Sequence, residues 1–149
     1  MGKIKEVIFQ LSGLYKIYGK RLENEIQNGD IPNHIALILD GNRRWAKMHL
    51  TMPKKGHWKG ADAVENLLDW CEEFNIKIVT LYALSAENLD RDDKELDHIY
   101  ELIRMRLEKL YNDPRIHRCK MRVKGIGRIE LLPDSIKDIL NKLDDATKN

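Results

Sequence analysis

His34-Ile35-Ala36-Leu37-Ile38-Leu39-Asp40-Gly41-Asn42-Arg43-Arg44-Trp45-Ala46-Lys47 is the stretch on which the reading of this chain turns. Ile35 to Leu39 contains no polar residue and is bounded by Pro32-Asn33 before it and Asp40-Gly41-Asn42 after it. So short and apolar a run predicts a strand buried on both faces, as in a parallel sheet covered by helices. Asp40 then ends the strand, Gly41 allows a sharp turn, and Arg43-Arg44-Trp45-Ala46-Lys47 opens a helix. In open α/β sheets, ligands bind just outside the carboxyl ends of the strands. A carboxylate, a glycine and two arginines at that place suit a metal ion with a phosphorylated ligand. They suit equally a plain strand, turn and basic helix start that binds nothing.

Outward from that stretch the chain alternates helix and strand. Ile4, Val7, Ile8, Leu11, Leu14, Tyr15, Tyr18, Leu22 and Ile26 recur at helical spacing, so residues 4–27 read as an amphipathic helix stopped by Asn28-Gly29. After Ala46 the helix is expected to run two or three turns until Pro53 breaks it. A second helix over Ala61 to Phe74 buries Ala63, Val64, Leu67, Leu68, Cys71 and Phe74, with Asn75 ending it. Lys77 to Leu84 is rich in β-branched and aromatic residues and reads as a second strand. Asp92 and Glu95 have capping-box spacing ahead of a third helix carrying Leu96, Ile99, Tyr100, Leu102, Ile103, Leu107 and Leu110. Cys119 to Ile126 alternates apolar and basic residues and predicts a third strand. Pro133 opens a fourth helix with Ile136, Ile139, Leu140 and Leu143 on its apolar side. The order αβαβαβα predicts a single α/β domain over 1–149, a parallel β-sheet flanked by helices on both faces. Three strands make a thin sheet, and the chain reads as the N-terminal portion of a larger domain.

Composition narrows the function classes. The 149 residues are 42% apolar and 34% charged with net charge +2, an ordinary globular balance. The longest apolar runs fall well short of a bilayer span, and no signal-peptide core is visible, so a cytoplasmic protein is expected. Cys71 and Cys119 lack metal-ligand spacing and read as reduced, buried thiols rather than a disulfide. Charge is nevertheless uneven. No acid lies between Asp40 and Asp62, whereas Arg43, Arg44, Lys47, Lys54, Lys55 and Lys59 do, joined by His49 and His57. A one-sign cluster beside a strand end attracts a compact anion. Six cations around a turn are a small footprint for a polymer, so nucleic acid is not the expected partner.

Three segments fall at the same sheet edge. Asp40 to Ala46 offers a carboxylate for a hard cation such as Mg²⁺ and helix-start N–H groups for phosphate oxygens. Lys54 to Gly60 offers His57 and two glycines that permit close backbone approach. Ser85 to Arg91 adds a hydroxyl, an amide and a guanidinium. Asp92-Asp93-x-x-x-Asp97 approaches an Asp-rich metal motif, but its spacing is off and helix capping explains it better.

Together, His34-x-x-x-Ile38-x-Asp40-Gly41-Asn42-x-Arg44-Trp45-Ala46, Gly56-His57-x-x-Gly60 and Thr80-Leu81-Tyr82-Ala83-Leu84-Ser85-x-Glu87-Asn88-x-x-Arg91 resemble the cis-prenyltransferases, of which undecaprenyl diphosphate synthase is the type member. The resemblance implies Mg²⁺-dependent condensation of isopentenyl diphosphate with an allylic diphosphate of the farnesyl or geranylgeranyl type. It implies that Asp40 holds Mg²⁺ on the diphosphate and that Asp40, Asn88 and Arg91 are catalytic. Gly41, Asn42, Arg43, Arg44, Trp45, His57, Ser85 and Glu87 would surround the substrate, Arg43 standing where the family often has a glycine that lends its N–H. Trp45, Ala83 and Leu107 read either as walls of a product tunnel or as core residues. Pro53 replaces a family arginine that contacts diphosphate, leaving Lys54 or Lys55 to substitute, and Leu89 replaces a loop tryptophan. The family's Arg-x-x-x-Arg-x-Ser element and a later glutamate, which bind isopentenyl diphosphate, are not in these residues. The resemblance further implies a homodimer in the full-length form and transient contact with a membrane, because the product is greasy. The alternative expectation is an accessory chain that binds isoprenoid diphosphate without turning it over alone.

Overall fold

A computed structural model describes residues 14–148. Of the first predicted helix, α1 (Leu14–Gln27) is described, and its expected portion over 4–13 lies outside the described residues. Then follow β1 (His34–Ile38), α2 (Asn42–Met48), α3 (Pro53–Glu73), β2 (Ile78–Tyr82), a 3-10 turn (Ala86–Asp90), α4 (Asp93–Tyr111), α5 (Arg115–Arg118), a second 3-10 turn (Ile129–Leu131) and α6 (Asp134–Thr147). The chain divides into two compact units, Met1–Ile38 with Glu65–Tyr82, and Leu39–Val64 with Ala83–Asn149.

The first unit holds the sheet. β1 and β2 pair in parallel from His34 opposite Ile78 to Ile38 opposite Tyr82, with a helical crossover between them, and the expected α/β class stands. Asn33 sets the register, its carbonyl accepting from the N–H groups of Lys77 and Ile78 at 3.2 and 3.0 Å. Ile35, Leu37, Val79 and Leu81 are half-buried, whereas on the other face Ile38 is 76% exposed and Tyr82 54%. β1 is therefore not the strand buried on both faces that its composition predicts, because among the described residues it has one strand neighbour and one covered face. α3 ends as expected at Asn75. That residue takes the left-handed conformation (φ 58°) while Ile76 and Asn75 donate back to the carbonyls of Cys71 and Glu72.

The second unit packs α4 against α6. Ile116, Ile139 and Leu143 form its core, with Leu107, Leu110 and Val123 against them. Asp92 caps α4 by accepting from the Lys94 N–H at 3.1 Å, as its position predicts. Three sequence expectations fail. Pro53 opens α3 instead of breaking a helix, since the first helical residue needs no N–H and favours the φ of proline. α3 therefore begins eight residues before Ala61. The predicted strand over Cys119 to Ile126 does not form: Cys119 and Lys120 make the turn after α5, Lys120 in the left-handed conformation (φ 50°), and the rest pairs with no strand among the described residues. Its alternation is real, with Met121 and Val123 half-buried and Arg122 and Lys124 exposed. The Val123 N–H goes to the Thr147 hydroxyl at 3.1 Å, and Arg122 pairs with Asp144 at 2.8 Å, so α6 takes the place of a neighbouring strand. Third, Cys71 is buried but Cys119 is exposed, because it falls at the end of α5 and not inside a strand. No disulfide joins them.

Candidate active site

The candidate residues from Asp40 to Arg91 all lie in the second unit. Gly41 turns the chain from Asp40 into α2 with φ 87°, a conformation that glycine adopts without strain. Asp40 stands outside the helix with its side chain 81% exposed. One carboxylate oxygen accepts the Gly41 N–H, and the other lies 3.9 Å from Arg44. Asp40 thus faces solvent.

Asn42 begins α2 and fastens it to α3. Its amide donates to the Leu39 carbonyl at 3.3 Å. A methyl group on Gly56 would overlap the Asn42 carbonyl oxygen, and one on Gly60 would overlap its side-chain oxygen. The two glycines, one helical turn apart, are therefore the surface on which α2 rests. The close approach that they permit is filled by Asn42. The Lys54 to Gly60 segment is accordingly the first turns of α3 and not a loop. Lys54 and Lys55 are exposed there.

That docking delivers His57 to Glu95. The imidazole Nε2 lies 3.1 Å from Glu95 Oε1, with the His57 side chain 11% exposed and that of Glu95 17%. A carboxylate oxygen can only accept, so Nε2 carries the proton in this contact. The same oxygen receives Arg91 Nη1 at 3.2 Å and lies 3.7 Å from Arg43 Nε. Two residues expected to bind substrate, His57 and Arg43, and one expected to be catalytic, Arg91, thus converge from three segments on one carboxylate atom. Glu95 itself escapes the sequence reading, which assigns it to a capping box. The signal available was an arginine four positions ahead of the glutamate, although Arg91 is extended and stands before α4 rather than on its face.

Ser85 flanks the 3-10 turn, where its hydroxyl accepts from the Asn88 amide. Arg91 then donates its N–H to the Asn88 carbonyl at 3.3 Å, so Ser85, Asn88 and Arg91 hold one another in place. Glu87 is exposed in the first turn. Trp45 stacks on His49 with ring centroids 4.1 Å apart, Leu107 packs in the core, and Ala83 is exposed.

A divalent cation fits this arrangement in one way. Among the described residues no cluster of three or more His, Cys, Asp or Glu side chains could hold a metal. Mg²⁺ commonly takes one or two carboxylates and completes its shell with phosphate oxygens and water. Solvent-facing Asp40 beside a set of cations is a donor set of that kind.

Comparisons with known proteins identify the family. The family model Prenyltransf, which describes undecaprenyl diphosphate synthase, matches residues 38–149. A tritrans,polycis-undecaprenyl-diphosphate synthase (geranylgeranyl-diphosphate specific) of Methanopyrus kandleri is 41% identical over 93% of this chain and 51% of its own length. A (2Z,6E)-farnesyl diphosphate synthase of Thermobifida fusca is 40% identical over 91% of this chain and 51% of its own. The chain thus spans about half the length of the curated relatives it matches. Lavandulyl diphosphate synthase from Lavandula x intermedia, solved with dimethylallyl diphosphate, shares the fold at a TM-score of 0.70 and 24% identity. That superposition covers 83% of this chain and 51% of the other. With Asp40, Asn42, His57, Asn88 and Arg91 placed as above, the chain belongs to the undecaprenyl diphosphate synthase family of prenyltransferases.

Proposed function

We propose that these residues are the N-terminal portion of a cis-prenyltransferase domain and bind the allylic diphosphate that is joined to isopentenyl diphosphate. The observation that carries the reading is the convergence of His57, Arg91 and Arg43 on one Glu95 oxygen, close in sequence to the Asp40–Arg44 pair. In the condensation, the π bond of isopentenyl diphosphate attacks the allylic carbon as its C–O bond breaks. The electron pair leaves with the diphosphate, and loss of a proton from the isopentenyl unit restores the double bond. The barrier lies in the charge growing on the leaving diphosphate. Arg43, Arg44, Arg91 and His57 meet that charge, His57 and Arg91 with donors already held in place by Glu95. Asp40 and Asn42 hold the first segment around the diphosphate, and the Ser85–Asn88 contact keeps Arg91 aimed. Mg²⁺ held by Asp40 would supply Lewis-acid stabilisation of the same charge. No protein nucleophile takes part.

Relatives named as geranylgeranyl-diphosphate specific support an allylic substrate of the farnesyl or geranylgeranyl type. The family resemblance adds a homodimer in the full-length form and a cytoplasmic enzyme in transient contact with a membrane. No helix among the described residues is long and apolar enough to cross one. Calorimetric titration with farnesyl diphosphate in Mg²⁺ tests the proposal. Saturable binding is expected, weakened at least tenfold in Asp40→Ala and in Arg91→Ala. Unchanged affinity in both variants would end it. Incorporation of labelled isopentenyl diphosphate then separates a chain that turns over from an accessory chain that only binds.

A further inference from the structure

The segment between α2 and α3 is built unlike an ordinary helix connection. α2 closes with Leu50 and Thr51 donating back to the carbonyls of Lys47 and Ala46 at 3.2 and 2.9 Å, which puts Leu50 in the left-handed position (φ 49°). Glycine usually occupies that position, because a side chain there crowds the backbone. Here the residue is a leucine, and its side chain is 96% exposed. Met48 beside it is 75% exposed and Met52 68%. Three large apolar side chains within five residues therefore stand in water. Around them lie Arg44, Lys47, Lys54 and Lys55, all exposed, with no acid anywhere between Asp40 and Asp62.

We propose that this knuckle, Met48, Leu50 and Met52 within a basic collar, attaches the protein to an anionic phospholipid surface. It deepens the membrane contact proposed above, but it stands on this surface and not on the diphosphate chemistry. Apolar side chains at the tip enter the headgroup boundary, while the lysines and arginine stay among the lipid phosphates. The charge selects the partner. A protein surface complementary to the collar would have to be acidic and apolar together, whereas an anionic bilayer offers both properties everywhere. Attachment here would place the N-terminal end of α2, with Asp40 and Arg44, within one short helix of the lipid.

Sedimentation with vesicles of phosphatidylglycerol and phosphatidylcholine tests it, in low salt, with and without saturating inorganic pyrophosphate. Binding is expected to anionic vesicles and to fall at least tenfold on pure phosphatidylcholine. The variant Met48→Gln/Leu50→Asn/Met52→Gln should lose at least tenfold in partitioning while keeping its pyrophosphate affinity, asparagine being tolerated at the left-handed position. Met52→Trp should show a blue-shifted emission, quenched by brominated lipid. Binding indifferent to headgroup charge or to the triple variant would overturn the proposal, as would binding abolished by pyrophosphate, which would assign the lipid phosphate to the diphosphate site. Knuckle-dependent dimers without vesicles, seen by analytical ultracentrifugation, would assign the surface to a second copy instead. Loss of pyrophosphate affinity alone, with vesicle binding intact, would count against the proposed chemistry and leave the surface assignment standing.

Discussion

Glu95→Gln separates two things that the Glu95 carboxylate does. One oxygen of it accepts from His57 and Arg91 at 3.1 and 3.2 Å and lies 3.7 Å from Arg43, so it balances the charge of the two guanidinium groups. Arg43, 63% exposed, contributes little, since exposed ion pairs are worth about 0–1 kcal/mol. The His57 and Arg91 contacts are mostly buried, and hydrogen bonds to charged groups are worth about 1.5–3 kcal/mol each. Glutamine keeps an acceptor oxygen but not the charge, so a net loss of about 2–3 kcal/mol is expected. For a chain of this size that lowers Tm by about 6–10 °C. The sign reverses for an anion. A diphosphate meeting these guanidinium groups must share them with Glu95. A unit charge about 6 Å away at an effective dielectric near 20 opposes it by about 2–3 kcal/mol before screening. Glu95→Gln should therefore bind inorganic pyrophosphate about five- to tenfold more tightly in Mg²⁺-free buffer. It should also show a larger pyrophosphate-induced rise in Tm than the parent protein. Differential scanning fluorimetry and calorimetric titration on the same samples read both. Weaker pyrophosphate binding in the variant would refute the reasoning, because Glu95 would then be supporting the ligand and not standing in for it.

Gly60→Ala should cost about 1–3 kcal/mol by driving a methyl group into the Asn42 side chain, and should weaken pyrophosphate binding as α2 shifts. Gly19→Ala, on α1 with open space around it, should instead stabilise by about 0.5–1 kcal/mol; urea unfolding measures both. Leu143→Ala empties a fully buried core position and should cost about 2–5 kcal/mol, with pyrophosphate affinity per folded molecule unchanged. The Asp113 carboxyl is held below its ordinary range by a hydrogen bond from the Arg115 side chain and then by the Arg115 N–H. Its folded value lies below its unfolded one, so this stabilisation is present above the unfolded value and disappears as pH falls through the folded one. Asp113→Asn should thus be less stable than the parent near neutral pH and match it in acid, as urea midpoints across pH would show.

Local chemistry made much of this protein legible from its residues alone. The apolar run into Asp40-Gly41, the β-branched Ile78–Tyr82 segment and the Asp92 cap each follow from interactions within a few positions, and each appears where it was expected. So does the end of α3 at Asn75, since a left-handed residue closing a helix is a short-range device. The residues of the candidate site were legible too, because their types and spacing carry the chemistry. Partners distant in sequence were not. Whether Met121 to Ile126 pairs with a strand or leans on α6 depends on what lies beside it, and alternation is the same in both cases. Glu95 looked like a cap because its spacing from Asp92 is local, whereas its contacts with His57 and Arg43 cross 38 and 52 positions, distances only the folded chain closes. Likewise the spacing of Gly56 and Gly60 marks a close approach without naming what approaches; packing decided that it is Asn42. Sequence therefore named the groups proposed to meet a diphosphate, and tertiary structure decided which of them meet one another, because electrostatics acts over ångströms and is indifferent to position in the chain.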